Sequence, residues 1–337
     1  MAMTPITLGR SDLRVSPVCL GAMMFGVEAD EASSLRIVDK ARKAGINFID
    51  TADVYGEGRS EETVGRVIAD DRDRWIVATK VGARATATDR RLTRDFILRS
   101  AEASAKRLGA KRIDIYYLHK EEPVTPLEET IGAIAELMRG GVIRHFGVSN
   151  YRGWRVAEIC RLCDTLGIAR PVISQPNYNA LNRMSEVEHL PACAHYGLGV
   201  FPFSPMARGV LSGKYRAGEK PPADTRAGRN DSRLMQTEWR PESLEIAQTI
   251  KKHAESRGIS AAAFAVGWVL NNRLIDGVIA GPRTEEQLDD YIRAVDYRFT
   301  AEDEALVDKL VTAGHPSTPG YNDPAYPIEG RVPRSKN

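Results

Sequence analysis

The chain contains 337 residues, of which 42% are hydrophobic and 27% are charged, and its mean hydropathy is −0.33. This length allows a large buried core, and a charge content that is mixed along the chain argues against disorder. The 47 basic and 45 acidic residues give a formal net charge of only +2. Because binding to nucleic acid depends on concentrated Lys and Arg, this balance excludes a chain-wide polyanion-binding protein.

The start of the chain and its cysteines predict a cytoplasmic protein. Residues 1–10 contain no apolar run of the signal-peptide type. The longest apolar run, 261–270, has about half of the roughly 20 residues that a membrane span needs, so we expect no membrane association. Four cysteines are too few for a disulfide scaffold in a chain of this length. Cys160 and Cys163 have redox or zinc spacing, but they lie inside one predicted helix without a second pair, so we favour packing and predict no metal site.

Eight short apolar strands, each followed by an amphipathic helix, repeat along the chain. In chain order the predicted pairs are 18–21 with 31–43, 47–50 with 60–69, 75–79 with 94–108, 113–118 with 127–138, 143–148 with 155–166, 172–175 with 186–196, 200–203 with 242–256, and 277–280 with 285–295. Glycine follows several of these helices, and it readily adopts the left-handed backbone conformation that ends a helix. The strands lack polar alternation, which indicates a parallel sheet buried on both faces.

Eight such units with right-handed crossovers predict an α/β fold, a (β/α)₈ TIM barrel. An open doubly wound sheet is the alternative, but its first turn is usually Gly-x-Gly-x-x-Gly, and residues 21–26 do not match that pattern. We expect one domain over 1–337, with a hairpin cap at 4–16, the barrel at about 17–297, and a helix with a Pro/Gly-rich tail at 298–337. The long connection 205–240 is predicted to shape the site.

Four polar residues lie at or just beyond neighbouring strand ends, where a barrel forms its active site: Asp50, Tyr55, Lys80 and His119. An ammonium group beside a phenol lowers the phenol pKa, and a carboxylate keeps the ammonium charged. An imidazole can orient a carbonyl oxygen. Each residue alone has an ordinary structural explanation, but together they suit protonation of an oxygen whose carbon receives a hydride.

Five segments match one family in order and spacing: NFIDTADVYG at 47–56, ATKVG at 78–82, YYLH at 116–119, FGVSNY at 146–151 and FSPMARGVLSGKY at 203–215. On these segments the chain resembles the aldo-keto reductases over nearly its whole length. The resemblance implies that Tyr55 is the general acid and that Lys80 lowers its pKa. It also implies that Asp50 is the partner of Lys80, and that His119 orients the substrate.

The same resemblance implies NADP(H) as the cofactor. Ser149, Asn150 and Gln175 match residues that hold the nicotinamide carboxamide, and Arg283 is expected at the 2′-phosphate, beside a helix N-terminus that favours an anion. The implied cofactor-binding residues are Gly21, Asp50, Ser149, Asn150, Gln175, Phe203, Ser204, Pro205, Met206, Gly209, Leu211, Gly213, Lys214, Gly281, Arg283, Gln287 and Asp290.

The expected reaction is the reversible reduction of an aldehyde or ketone, a small-molecule carbonyl substrate, by NADPH. The predicted substrate-contacting residues are Phe25, Tyr55, His119, Lys120 and Trp239. Their apolar members favour hydrophobic or alicyclic carbonyl compounds. One alternative is a regulatory subunit of a membrane channel that binds the cofactor with little turnover. Another is a barrel hydrolase with paired carboxylates, which would need Glu121 or Glu122. The sequence leaves the oligomeric state open.

Overall fold

The computed structural model describes residues 2–83, 89–328 and 330. The strands within these ranges are β1 (Ile6–Thr7), β2 (Arg14–Val15), β3 (Val18–Gly21), β4 (Phe48–Asp50), β5 (Ile76–Val81), β6 (Ile113–Leu118), β7 (Ile143–Ser149), β8 (Ile173–Gln175), β9 (Gly199–Val200) and β10 (Val278–Ala280). The helices are α1 (Glu31–Lys43), α2 (Arg59–Val67), α3 (Arg94–Arg107), α4 (Leu127–Arg139), α5 (Gly153–Leu166), α6 (His189–Tyr196), α7 (Ser232–Thr237), α8 (Pro241–Ser256), α9 (Ala261–Leu270), α10 (Glu285–Asp296) and α11 (Ala301–Leu310).

Strands β3 to β10 form one parallel sheet in the order β10-β3-β4-β5-β6-β7-β8-β9. The two outer strands meet through backbone hydrogen bonds, because the Asp276 amide donates to the Val200 carbonyl and the Ile279 amide donates to the Pro202 carbonyl, both at 3.0 Å. The predicted α/β fold and its (β/α)₈ barrel are therefore confirmed. Side chains of the barrel strands fill its interior, as expected for a packed core rather than a pore.

The N-terminal hairpin closes the end of the barrel opposite the strand C-termini. Leu8, Leu13 and Val15 are buried against the interior cluster. Gly9 lies in the turn with φ +49°, and a Cβ there would stand 2.5 Å from the Val172 carbonyl oxygen and 2.7 Å from the Gly199 nitrogen. Only glycine permits so close an approach to the starts of β8 and β9.

Two predicted elements differ markedly from the observed ones, and the observed helix α9 was not among the predicted pairs. The predicted strand 200–203 shortens to Gly199–Val200, since Pro202 has no amide to donate. The predicted helix 186–196 begins at His189, after a separate 3₁₀ turn at Met184–Glu186. The apolar run 261–270 is α9, which is buried almost completely beside α8 and α10 and is capped by the Ser260 hydroxyl.

The helix predicted within 298–337 is α11, which starts with a reciprocal capping box between Thr300 and Asp303. Residues 329 and 331–337 of the predicted tail lie outside the described residues. No helix in the described ranges combines the length and apolarity needed to cross a membrane.

Candidate active site

A cavity of about 1350 Å³ opens at the C-terminal ends of the barrel strands. The last residues of β3, β4, β7 and β8 line it, together with loops and the C-terminal segment. A single drug-sized ligand occupies a pocket of roughly 300–1,000 Å³. This cavity therefore has room for a large ligand and a smaller one side by side.

A buried charge pair lies beneath the cavity. Lys80 on β5 is 0% exposed, and its Nζ donates hydrogen bonds to the Asp50 carboxylate and, at 2.8 Å, to the Thr51 carbonyl oxygen. Burial favours the neutral amine, but the charge of Asp50 and interactions with Asp50 and Tyr55 hold the pKa of Lys80 above its usual value. A permanently charged ammonium group therefore sits under the site.

The hydroxyl of Tyr55 faces this ammonium group. Lys80 Nζ lies 3.5 Å from the Tyr55 oxygen and 4.9 Å from the centre of its ring. Tyr55 begins a short 3₁₀ turn after β4, in which Gly56 and Glu57 adopt left-handed backbone angles. Three of the four predicted residues are thus in direct contact.

Burial raises the pKa of Tyr55 above its usual value, while the charge of Lys80 opposes that rise. The expected lowering by Lys80 therefore operates, but burial outweighs it, and the phenol is protonated at neutral pH. A protonated phenol beside a cation is a proton donor.

His119 follows β6 and completes the group. Its ring stands edge-on to Tyr55, with 5.8 Å between the ring centres and 86° between the planes. The buried Nδ1 has no hydrogen-bond partner among the described residues. Burial and the charge of Lys80 hold the pKa of His119 well below its usual range, so the imidazole is neutral and can offer an N–H to an oxygen in the cavity.

The residues predicted to hold an amide are linked to this group by hydrogen bonds. Gln175 Nε2 donates to Asp50 Oδ1 at 3.1 Å, and Asn150 Nδ2 donates to the His119 carbonyl at 3.0 Å. Ser149 Oγ donates to the Gln175 carbonyl at 2.9 Å. Asn150, which directly follows β7, has a left-handed backbone with φ +58°. All three line the cavity, with one side chain supporting the next.

The 203–214 segment runs along the cavity with an unusual backbone. Ser204, Ala207 and Arg208 have positive φ angles although none is glycine, and Gly209 and Gly213 are also left-handed. Strain of this kind persists where the surrounding structure fixes a functional loop. Among the predicted contacts of this segment, the cavity is lined by Phe203, Ser204, Pro205, Met206, Gly209 and Lys214. Leu211, in contrast, is buried in the core, and Gly213 faces Lys251.

The residues after β10 line the opposite end of the cavity. The Arg283 amide donates to Gln287 Oε1 at 2.8 Å, and its guanidinium lies 3.0 Å from the Glu28 carboxylate. Asp290 Oδ1 accepts a bond from Ser260. Gly21 and Gly281 line the cavity as well, and the N-terminus of α10 adds its partial positive charge there.

Two predicted substrate residues do not reach this cavity. Phe25 is 0% exposed and packs in the core between strands and helices. Trp239 packs edge-on against Tyr215 and lines a separate, smaller cavity. Lys120 does line the large cavity, and so do many residues that were not predicted, among them Arg208, Trp154 and Tyr326. Tyr326 lies in the irregular tail, where no periodic pattern indicates what a residue contacts.

The two carboxylates that a barrel hydrolase would need, Glu121 and Glu122, form hydrogen bonds or ion pairs with other residues. Glu122 is buried and accepts bonds from the amides of Val124 and Thr125 and from the Thr125 hydroxyl. Glu121 pairs with two arginines, Arg152 and Arg155. The described residues contain no group of three or more His, Cys, Asp or Glu side chains that could hold a metal ion.

Comparison with known proteins places the chain among oxidoreductases. A family model described as the Aldo/keto reductase family matches residues 17–312. A "Probable voltage-gated potassium channel subunit beta" of Oryza sativa subsp. japonica is 34% identical over 86% of this chain and 90% of its own. The "Uncharacterized oxidoreductase YrpG" of Bacillus subtilis is 34% identical over 88% of this chain and 92% of its own length. The "L-glyceraldehyde 3-phosphate reductase" of Escherichia coli K12 is 32% identical over 91% of this chain and 92% of its own length.

Proposed function

The chain belongs to the aldo/keto reductase family and is an oxidoreductase, and from that premise we propose that it reduces an aldehyde or ketone with NADPH, using Tyr55 as the proton donor. The observation that carries this proposal is the contact of the Tyr55 hydroxyl with the Lys80 ammonium, at 3.5 Å, beside the neutral ring of His119. A small-molecule carbonyl compound is the substrate class that this chemistry fits.

The volume of the cavity and its hydrogen-bond donors support a nicotinamide dinucleotide as its ligand. The amide groups of Asn150 and Gln175 and the hydroxyl of Ser149 would hold the carboxamide, and Phe203 would stack against the ring. The backbone of 204–209, which contains several left-handed residues, would follow the pyrophosphate, and Arg283 would contact the 2′-phosphate. Bound NADPH would supply the hydride that adds to the carbonyl carbon.

This chain's own residues would complete the reaction at the oxygen. His119 would donate a hydrogen bond to the carbonyl oxygen and so fix its position against Tyr55. As negative charge develops on that oxygen, Tyr55 would transfer its phenolic proton to it, leaving an alcohol. Lys80 would stabilise the phenolate that remains, and Asp50 keeps Lys80 charged. Run in reverse, the same groups would remove a proton from an alcohol.

The similarity to potassium channel beta subunits supports a second candidate. A regulatory subunit would use the same cavity to bind the cofactor and would show little turnover. Nothing in the arrangement of Tyr55 and Lys80 separates the two functions, so the distinction is kinetic.

A carbonyl panel tests the proposal. The purified protein is mixed with NADPH and with aliphatic and aromatic aldehydes and ketones, and the absorbance of reduced nicotinamide is followed. We expect steady oxidation of NADPH with at least one aldehyde. Tight binding of NADPH with no turnover on any compound would favour the regulatory candidate.

A further inference from the structure

Positive charge without a carboxylate partner remains on the side of the cavity that the C-terminal segment covers. We infer that the carbonyl substrate carries an anionic group, a carboxylate or a phosphate, and that Lys120 binds this group beside Tyr326. This inference rests on the proposed function and narrows its substrate class.

The cations that line the cavity fall into two groups. Those within 4.0 Å of a carboxylate are Arg152, Arg155, Arg226, Arg233 and Arg283. Among the residues that the structure describes, the cavity-lining cations without such a partner are Lys120, Arg208 and Lys214. Lys214 belongs to the segment assigned to the cofactor, next to Tyr215. Arg208 lies in the same segment, so of these three cations Lys120 is left for a different ligand.

Lys120 is close to the reacting groups by its place in the chain. It directly follows His119, whose ring stands against Tyr55. Its Nζ lies 5.2 Å from the centre of the Tyr326 ring, and Tyr326 lines the cavity from the C-terminal segment. A substrate whose carbonyl group contacts Tyr55 can thus extend under Tyr326 toward the Lys120 ammonium.

Arg208 adds a second positive charge to this part of the cavity. Its Nε donates to Thr237 Oγ1 at 3.1 Å, and burial lowers the pKa of Arg208 although the charges of Glu238 and Asp231 oppose that lowering. Burial and Asp323 raise the pKa of Tyr326 to about 12, against the charges of Arg233 and Arg208. The Tyr326 hydroxyl also interacts electrostatically with Tyr55. Arg208, Tyr326 and Tyr55 therefore lie in one region of the site.

The energetics favour an anion over a neutral substrate. A cation that is partly withdrawn from water costs free energy unless an opposite charge accompanies it. A cavity with one sign of charge and low-dielectric walls also concentrates ligands of the other sign. A neutral, apolar carbonyl compound, the class expected from the sequence, would leave the Lys120 ammonium without an anionic partner. Phe25 and Trp239, on which that expectation rested, do not line this cavity.

Two matched substrate pairs test the inference. Each pair differs in charge, namely 4-carboxybenzaldehyde against 4-formylbenzamide and glyceraldehyde 3-phosphate against glyceraldehyde. The value of kcat/KM is measured for the native protein, Lys120→Met, Lys120→Arg and Lys309→Met. Lys309 is an exposed residue of α11 and controls for loss of a positive charge elsewhere.

We expect the anionic member of at least one pair to be preferred by about tenfold or more, since a charged hydrogen bond is worth that much. Lys120→Met should remove most of this preference through a higher KM, Lys120→Arg should restore it, and Lys309→Met should keep it. The pair with the larger preference identifies the anion as carboxylate or phosphate. Equal values within both pairs, or a preference that survives in Lys120→Met, would overturn the inference.

A binding measurement separates this inference from the proposed function. Terephthalate, which cannot be reduced, is titrated into the native protein and Lys120→Met with NADP⁺ present, and terephthalamide serves as the neutral control. If no aldehyde is reduced but terephthalate binds through Lys120, the proposed reaction fails and the anion site stands. If aldehydes are reduced but terephthalate binds no better than terephthalamide, the anion site fails alone.

Discussion

The charge of Lys80 limits how far burial raises the pKa of the Tyr55 phenol. This is a balance of two opposing effects at one oxygen atom. Burial disfavours the phenolate that forms when the proton leaves, and the ammonium favours it. The acid strength of Tyr55 thus depends on a side chain that is completely buried and does not line the cavity.

Lys80→Met should therefore weaken the proton donor. With the pKa of Tyr55 higher still, we expect kcat for aldehyde reduction to fall by about 100-fold or more between pH 6 and 8, the range typical of general acid catalysis. Steady-state rates over that pH range check this result. The double variant Asp50→Asn with Lys80→Met leaves no unpaired buried carboxylate, so comparing its thermal unfolding with that of the single variant separates lost chemistry from lost folding. Native-like kcat in a folded Lys80→Met protein would be incompatible with this role.

Arg283→Ala should distinguish the two nicotinamide cofactors. We expect the Kd for NADPH to rise by about tenfold or more and the Kd for NADH to change far less, because only NADPH carries the 2′-phosphate. Fluorescence titration of both cofactors measures the difference. Arg293→Ala, an exposed position later in α10, is the matched control. An equal rise in the Kd for both cofactors would show that Arg283 does not bind the 2′-phosphate.

Helix α6 is joined to the barrel by a buried histidine. His189 at its start shares a hydrogen bond of 2.8 Å with the Ser174 hydroxyl on β8. Burial lowers the pKa of His189 to about 4. Below about pH 6.5 the unfolded chain binds a proton at His189 that the folded protein does not bind. The free energy of unfolding therefore decreases as the pH falls.

We expect this linkage to cost about 2 kcal/mol of unfolding free energy between pH 7 and pH 5. His189→Gln keeps a hydrogen-bonding side chain and should remove that part of the pH dependence. His195→Gln, an exposed position on the same helix, should keep it. Urea unfolding at the two pH values measures both variants. A native-like pH dependence in His189→Gln would show that His189 is not the source.

At the scale of the whole molecule, the sequence predicted both the barrel and the clustering of Asp50, Tyr55, Lys80 and His119, because both follow from chain order. In a parallel barrel, neighbouring strands end at one face, so Asp50, Lys80 and His119 must converge once their strands are recognised. The same reasoning placed Gln175 and Ser149 at the cavity, where the structure has them.

Residues outside this regular pattern were harder to place. Phe25 follows β3 but turns into the core, and Trp239 packs against Tyr215, because long-range packing rather than sequence distance decides which way a loop side chain points. Tyr326 lies in the irregular tail and contacts Lys120, more than 200 positions earlier in the sequence. The net effect on the Tyr55 pKa also depends on depth of burial, which the sequence does not provide.

Tyr55→Phe, which removes one oxygen atom from the cavity, tests the central claim most directly. With an aldehyde that the native protein reduces, kcat and the Kd for NADPH are measured on the same preparation, alongside Tyr116→Phe, whose buried hydroxyl has no hydrogen-bond partner among the described residues. We predict that Tyr55→Phe loses about 100-fold or more in kcat while still binding NADPH, and that Tyr116→Phe resembles the native protein. Reduction at the native rate by Tyr55→Phe would contradict the assignment of the proton donor.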